Sequence, residues 1–283
     1  MRGFRFYALS RRSWSIRITT GYRLMKFPFL FKLLSMLLLL ALSIGKVAAS
    51  HDLLIYSGIT MVRPIAELAA RFETKEKIKI QIIQGGSEDI YQSARKSRLG
   101  DIYFPGEPTY RQKYLSEGLL GYHRVVGFNQ IALFVQKGNP KKVQPQLSEL
   151  LRKDLAVLIG NADSGSIGLE TRQTLERFKL YDKVVANSAF MMPDSRSINA
   201  SLKKGEADLA LNWRATAYFP DNKSHLDIVD LDPSIAEPQA LLLNQLTFST
   251  RPDLARKFID FVASPEGQLV FRNYGFLDAE GKR

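Results

Sequence analysis

The stretch DLLIYSGITMVRPIAELAARFETKEKIKIQIIQGGSEDIYQSARK, residues 52–96, decides the fold. Asp52 to Tyr56 is a short apolar run bounded by Ser57-Gly58-Ile59-Thr60, and reads as a strand ending in a turn. Ile65, Leu68, Ala69 and Phe72 then recur at i, i+3, i+4, i+7, the spacing that puts them on one face of a helix. Ile78, Ile80 and Ile82 alternate at period two, the spacing of a strand. Gly85-Gly86-Ser87 breaks that strand, and a polar helix over Glu88 to Lys96 follows. Strand, helix, strand and helix in close succession predict βα units on a sheet with many parallel strands.

The pattern continues toward the C-terminus. Asp101 to Phe104, Gln130 to Gln136, Leu155 to Ile159 and Asp208 to Asn212 read as strands. Pro108 to Glu117, Leu147 to Leu150, Gly168 to Lys179 and Ile198 to Lys204 read as helices. Pro252 opens a helix whose apolar face is Leu254, Phe258, Phe261 and Val262, and Ser264-Pro265 opens the last one. The expected class is α/β, with helices on both faces of mostly parallel sheets. Two lobes suit this length better than one wide sheet.

Toward the N-terminus the character changes. Residues 1–49 hold nine Lys and Arg and no acid. A 13-residue apolar run, Leu33 to Gly45, precedes Lys46-Val47-Ala48-Ala49-Ser50. A basic start, a short apolar run and small residues at −3 and −1 describe a secretory signal peptide, with cleavage expected after Ala49. The run is short for about 30 Å of hydrocarbon, although Phe27 to Phe31 could lengthen it into an uncleaved anchor. Met25 would give the signal ordinary proportions, so residues 1–24 read as an extension or a misassigned start. Removing the nine leader bases leaves 31 bases against 28 acids, a charge of +3 for residues 50–283 instead of +12 for the chain. The high pI is a property of the leader, and a nucleic-acid-binding reading loses its basis. The absence of cysteine excludes disulfide frameworks, thiolate metal sites and thiol catalysis. The three histidines, His51, His123 and His225, are scattered.

Ligands of open α/β sheets meet the C-terminal ends of strands beside helix N-termini. Three such junctions carry glycine and small hydroxyls: Ser57-Gly58-Ile59-Thr60, Gly85-Gly86-Ser87, and Asn161 through Gly168. Unpaired N–H groups and the helix dipole favour an anion there. The same residue types also serve as ordinary helix caps, and convergence of the three junctions would decide between the readings. Trp213, the only tryptophan after the leader, ends a strand, and its indole is a donor only. Arg63, Arg196 and Arg214 lie near junctions and could pair an anion bidentately. Ser164-Gly165-Ser166-Ile167-Gly168 fails the nucleophile-elbow pattern at its first glycine, and no metalloprotease or P-loop motif occurs. No catalytic residue, metal or cofactor is expected.

Seven segments in this order resemble the periplasmic molybdate-binding proteins and, more widely, type II solute-binding proteins of ABC importers. They are residues 53–72, 82–94, 100–120, 129–140, 160–175, 205–217 and 255–276. The resemblance implies a two-lobed α/β fold with a ligand cleft between lobes, residues 51–128 plus 236–283 forming one lobe and 129–235 the other. It implies ligand contacts at Thr60, Ser87, Ser166, the backbone N–H of Ile167, and Ser195, with Trp213 standing where the family has a tyrosine. It also implies a monomeric periplasmic protein that takes up a small oxyanion, molybdate- or tungstate-like, and delivers it to an inner-membrane permease. Three departures bear on the ligand. The family's Ser-Ala-Asp after the third strand is Pro105-Gly106-Glu107, its second-lobe proline is Ser166, and its tyrosine is Trp213. Sulfate, phosphate or a small carboxylate, a sensor role, or an enzyme on the same fold are the competing readings.

Overall fold

Leu53 to Gly58 forms the first strand, β1, and all six residues are buried. Its alternate residues enter different cores. Leu53 and Ile55 pack with Ile65, Leu68 and Phe72, while Leu54 and Tyr56 pack with Ile90, Tyr91 and Tyr103. A strand buried on both faces needs helices on both faces, which is why it reads as a continuous apolar run. The computed structural model describes residues 51–278 and Gly281, so the signal-peptide reading lies outside the described residues.

From β1 the chain passes through a 3-10 turn, Ile59–Met61, into α1, Val62–Glu76. β2 is Ile80–Gly85, α2 is Ser87–Ser97, β3 is Ile102–Phe104 and α3 is Thr109–Tyr114. β4, Leu120–Asn129, leads directly into β5, Ile131–Gln136. β6, Val157–Gly160, is followed by α4, Ser166–Arg177, α5, Tyr181–Asn187, β7, Ser188–Met192, and α6, Ser195–Lys203. β8, Leu209–Trp213, precedes β9, Leu226–Val229, and β10, Gln239–Leu246. α7, Pro252–Val262, and α8, Pro265–Asn273, complete the described chain.

Two five-stranded sheets result, β2-β1-β3-β10-β4 and β7-β6-β8-β5-β9. In the first, β1 pairs in parallel with β2 and β3, and β10 runs against both β3 and β4. In the second, β6 pairs in parallel with β7 and β8, and β5 runs against both β8 and β9. Each sheet is therefore mixed, with a single reversed strand among four that share a direction. The second sheet has its own core, in which Phe134, Leu158, Leu175, Ile198 and Leu211 are buried together. The chain passes between the sheets twice, at Asn129-Gln130 and between β9 and β10. Among the described residues, no helix is long and apolar enough to cross a membrane.

Candidate functional site

The C-terminal ends of β1, β2, β6 and β7 each lead into a turn or helix start, and these starts converge. A cavity of about 20 Å³ is lined by Gly58 to Met61 after β1, by Gly85 to Ser87 after β2, by Gly165 to Ile167 before α4, and by Pro193 to Ser195 after β7. The three junctions singled out in the sequence thus meet, joined by a fourth. The capping reading fits them poorly. α2 and α4 begin at Ser87 and Ser166 with glycine N-caps, and neither helix has a side-chain cap bond. The first N–H groups of an α-helix have no intrahelical acceptor, so two positive helix ends face one space from the two sheets. α6 differs in that Asp194 caps it, accepting from Ser197 N–H at 2.8 Å. Asp194 is the one carboxylate on the wall, and no Lys or Arg lines it.

Five of the six residues proposed from sequence line the cavity: Thr60, Ser87, Ser166, Ile167 and Ser195. Thr60 lies buried in the 3-10 turn. Ser87 Oγ accepts from the backbone N–H of Gly106 at 3.0 Å. Ser166 Oγ accepts from Trp213 Nε1–H at 3.1 Å. Both partners can only donate, so each hydroxyl is forced to accept there and keeps its own proton for another acceptor. Ser195 is 3% exposed and its Oγ has no hydrogen-bond partner. Its carbonyl accepts from Asn212 Nδ2, which also donates to Asn199 Oδ1. Trp213 is fully buried and is not on the wall; it reaches the cavity through Ser166. The arginines are placed elsewhere. Arg214 pairs with Asp230 at 2.8 Å, Arg63 with Asp221 at 2.6 Å, and Arg196 donates to Gln84 Oε1 at 2.8 Å.

The two sheets' elements press together here. A Cβ on Gly86 would lie 2.5 Å from the Ser164 carbonyl oxygen, and one on Gly106 would collide with Ser166 Oγ. Glu107, next to Gly106, is fully buried. One of its oxygens accepts from Thr109 N–H at 2.9 Å, and the other has no partner. Burial pushes its carboxyl above the ordinary range. Glu170 on α4 is also buried, accepting from Thr174 at 3.1 Å, and burial raises it to about 7, with the neighbouring charge of Glu107 acting in the same direction. Sequence reasoning noted Glu107 only as a departure from the family pattern and missed its coupling to Glu170, because the two residues are far apart in the chain. Asp194-Ser195 ahead of Ile198 was a readable cap signal for the fourth junction. Among the described residues, no group of three His, Cys, Asp or Glu is placed to hold a metal ion.

Two mixed α/β sheets, joined by two crossings, thus bring strand ends and helix starts from both around one small cavity. The chain belongs to the bacterial extracellular solute-binding protein family, which it matches over residues 53–277. A putative binding protein of Haemophilus influenzae is 23% identical over 235 residues, covering 81% of this chain and 92% of the relative. The periplasmic molybdate-binding protein of Azotobacter vinelandii superposes with a TM-score of 0.67 at 17% identity, covering 80% of this chain and 99% of its own. The sulfate-binding protein SubI of Mycobacterium tuberculosis superposes with a TM-score of 0.72 at 12% identity, covering 81% and 87%. At these identities the superpositions establish the fold, and the fold carries more than one ligand.

Proposed function

We propose that this is a periplasmic binding protein that captures a small oxyanion, molybdate- or tungstate-like, and delivers it to the permease of an ABC importer. Residues 51–128 with 236–283 form one lobe and 129–235 the other, and the ligand is held between them by hinge closure. Residues 1–49 act as the export signal, and the mature protein works as a monomer. The observation that carries the reading is the polarity of the two serines. Ser87 and Ser166 each accept from a donor-only N–H, so both offer protons to a ligand. Thr60, Ser195 and the backbone N–H of Ile167 complete a set of neutral donors, and Trp213 contributes by fixing Ser166. Hydrogen bonds to a charged group are worth about 1.5–3 kcal/mol each. Five of them give submicromolar binding, about −8 kcal/mol or better, once the cost of closure is deducted. This role is binding, with no chemical step.

Sulfate, phosphate or a small carboxylate is the second reading, favoured by the cationic side chains just outside the cavity. Thermal denaturation of the purified protein against molybdate, tungstate, sulfate, phosphate and small carboxylates separates the two. A ligand at 100 times its Kd adds about 2.7 kcal/mol of stability, a rise of several degrees for a domain of this size. We expect molybdate or tungstate to raise Tm and to change the emission of Trp213 through Ser166. A rise with another anion alone would assign the second reading, and no rise with any of them would remove the anion site.

A further inference from the structure

Beside the donor-lined cavity lies a second one of about 190 Å³, and Ile59, Thr60 and Ser195 belong to the walls of both. Its chemistry is different. Arg196, Asn199 and Lys203 come from one face of α6, and Arg63 comes from the start of α1 on the other sheet's side. One carboxylate, Asp221, stands among these three cations. It pairs with Arg63 at 2.6 Å and lies 3.9 Å from Lys203 Nζ. Arg196 meets the neutral amide of Gln84. The wall is therefore cationic by two charges.

One buried hydroxyl shared by both walls, Ser195 Oγ, lacks a partner and can donate to an anion. A tetrahedral oxyanion held by Ser87, Ser166 and Ser195 would leave the cationic face of Arg196 and Lys203 unused. We propose that the natural ligand is a bifunctional anion. Its oxyanion head, of the phosphate or phosphonate kind, sits among the neutral donors. A carboxylate on a short carbon link reaches Arg196 and Lys203, past Thr60 and Ser195. This rests on the cleft being an anion site, and within it takes the second reading, a phosphate-like head, over molybdate.

Calorimetry at fixed ionic strength with phosphoglycolate, inorganic phosphate and molybdate tests it. One charge-assisted bond is worth about tenfold in affinity. Wild-type protein should therefore bind phosphoglycolate at least about tenfold more tightly than phosphate. The double variant Arg196→Ala with Lys203→Ala should bring that ratio to within about twofold while leaving phosphate within about threefold of wild type. Lys204→Ala, a neighbouring exposed charge paired with Glu206 and outside the cavity, should leave the ratio unchanged. Equal binding of phosphoglycolate and phosphate by wild type overturns the inference, as does an equal loss of both in the double variant. Tight molybdate binding that the double variant retains, with no preference for phosphoglycolate, overturns it while the simple oxyanion reading stands. Failure of all three anions to bind overturns both.

Discussion

The indole of Trp213 has one proton to donate, and it goes to Ser166 Oγ at 3.1 Å. That bond joins two positions where the chain departs from the pattern of the molybdate-binding proteins it resembles, and a third departure touches them. Gly106 packs so closely on Ser166 that no Cβ fits there. A serine at 166 without tryptophan at 213 could turn its proton either way. With the tryptophan in place, the hydroxyl accepts from the indole, and its own proton is free for the ligand we propose. The three departures are thus in contact with one another, and under the proposed function a tryptophan and a serine would do the work of the tyrosine hydroxyl that the resemblance implies. Ser166→Ala removes both the ligand donor and the acceptor for a fully buried N–H. An unpaired buried donor costs about 1–3 kcal/mol, or a Tm lower by several degrees at this size, and the oxyanion should bind at least about tenfold more weakly. Thermal denaturation and titration of the variant check this, and an unchanged Tm would mean that the indole proton finds another partner.

Elements carry the next level, and the decisive one is the turn between β3 and α3, Pro105 to Pro108. It brings Gly106 against the start of α4, and Gly106 N–H onto Ser87 at the start of α2. Gly106→Ala places a methyl against Ser166 Oγ and 2.8 Å from its Cβ. The start of α4 must give way, so the two sides part. We expect this variant to keep its secondary structure, to lose oxyanion affinity by at least about tenfold, and to show a larger radius of gyration by small-angle scattering than wild type at saturating ligand. Unchanged affinity would show that the two sides are not held at this contact. The sequence was informative about the elements that build this contact. The period-3.6 face of α1 and the glycine ends of β1 and β2 were readable because each pattern is local. It was silent on β4, β7, β9, β10 and α5. β4 mixes exposed His123 and Arg124 with Gly121 and Gly127, so no alternation survives. β7 is largely exposed, with Phe190 and Met191 on the surface. In β10 the Leu241 to Leu243 run fits a helix as well as a strand. The site was legible one junction at a time, but the Trp213 to Ser166 bond was not, because it joins a strand end to a helix start 47 residues away.

At the scale of the whole molecule, Glu107 and Glu170 couple the two sides to pH. Glu107 follows β3 in the first sheet and Glu170 lies on α4 beside the second. Thr174 and, at 3.4 Å, Gln239 of β10 donate to Glu170, and Glu237 and Arg177 also act on it with opposite sign. Around Glu107 stand Thr109 and Tyr110. Both carboxyls are raised, chiefly by burial, Glu170 from 4.5 to about 7. A raised acid binds its proton more tightly in the folded protein than in the unfolded chain. Its contribution is therefore complete below pH 4.5, falls as pH rises, and is gone above about 7. The shift at Glu170 corresponds to a loss on the order of 3 kcal/mol across that window, and Glu107 adds to it in the same direction. Because the charge of Glu107 acts on Glu170 from the other sheet's side, ionisation of both should oppose the approach of the two sides, and closure on the ligand should weaken as pH rises. Glu170→Gln keeps the shape and cannot ionise. At pH 4.5 its Tm should match wild type. At pH 8 it should stand several degrees higher, by about 2–4 °C per kcal/mol at this size, and hold the oxyanion more tightly. Parallel Tm–pH curves for the variant and wild type would show that the Glu170 carboxyl stays charged in the folded protein, and the link between pH and closure would fall with it.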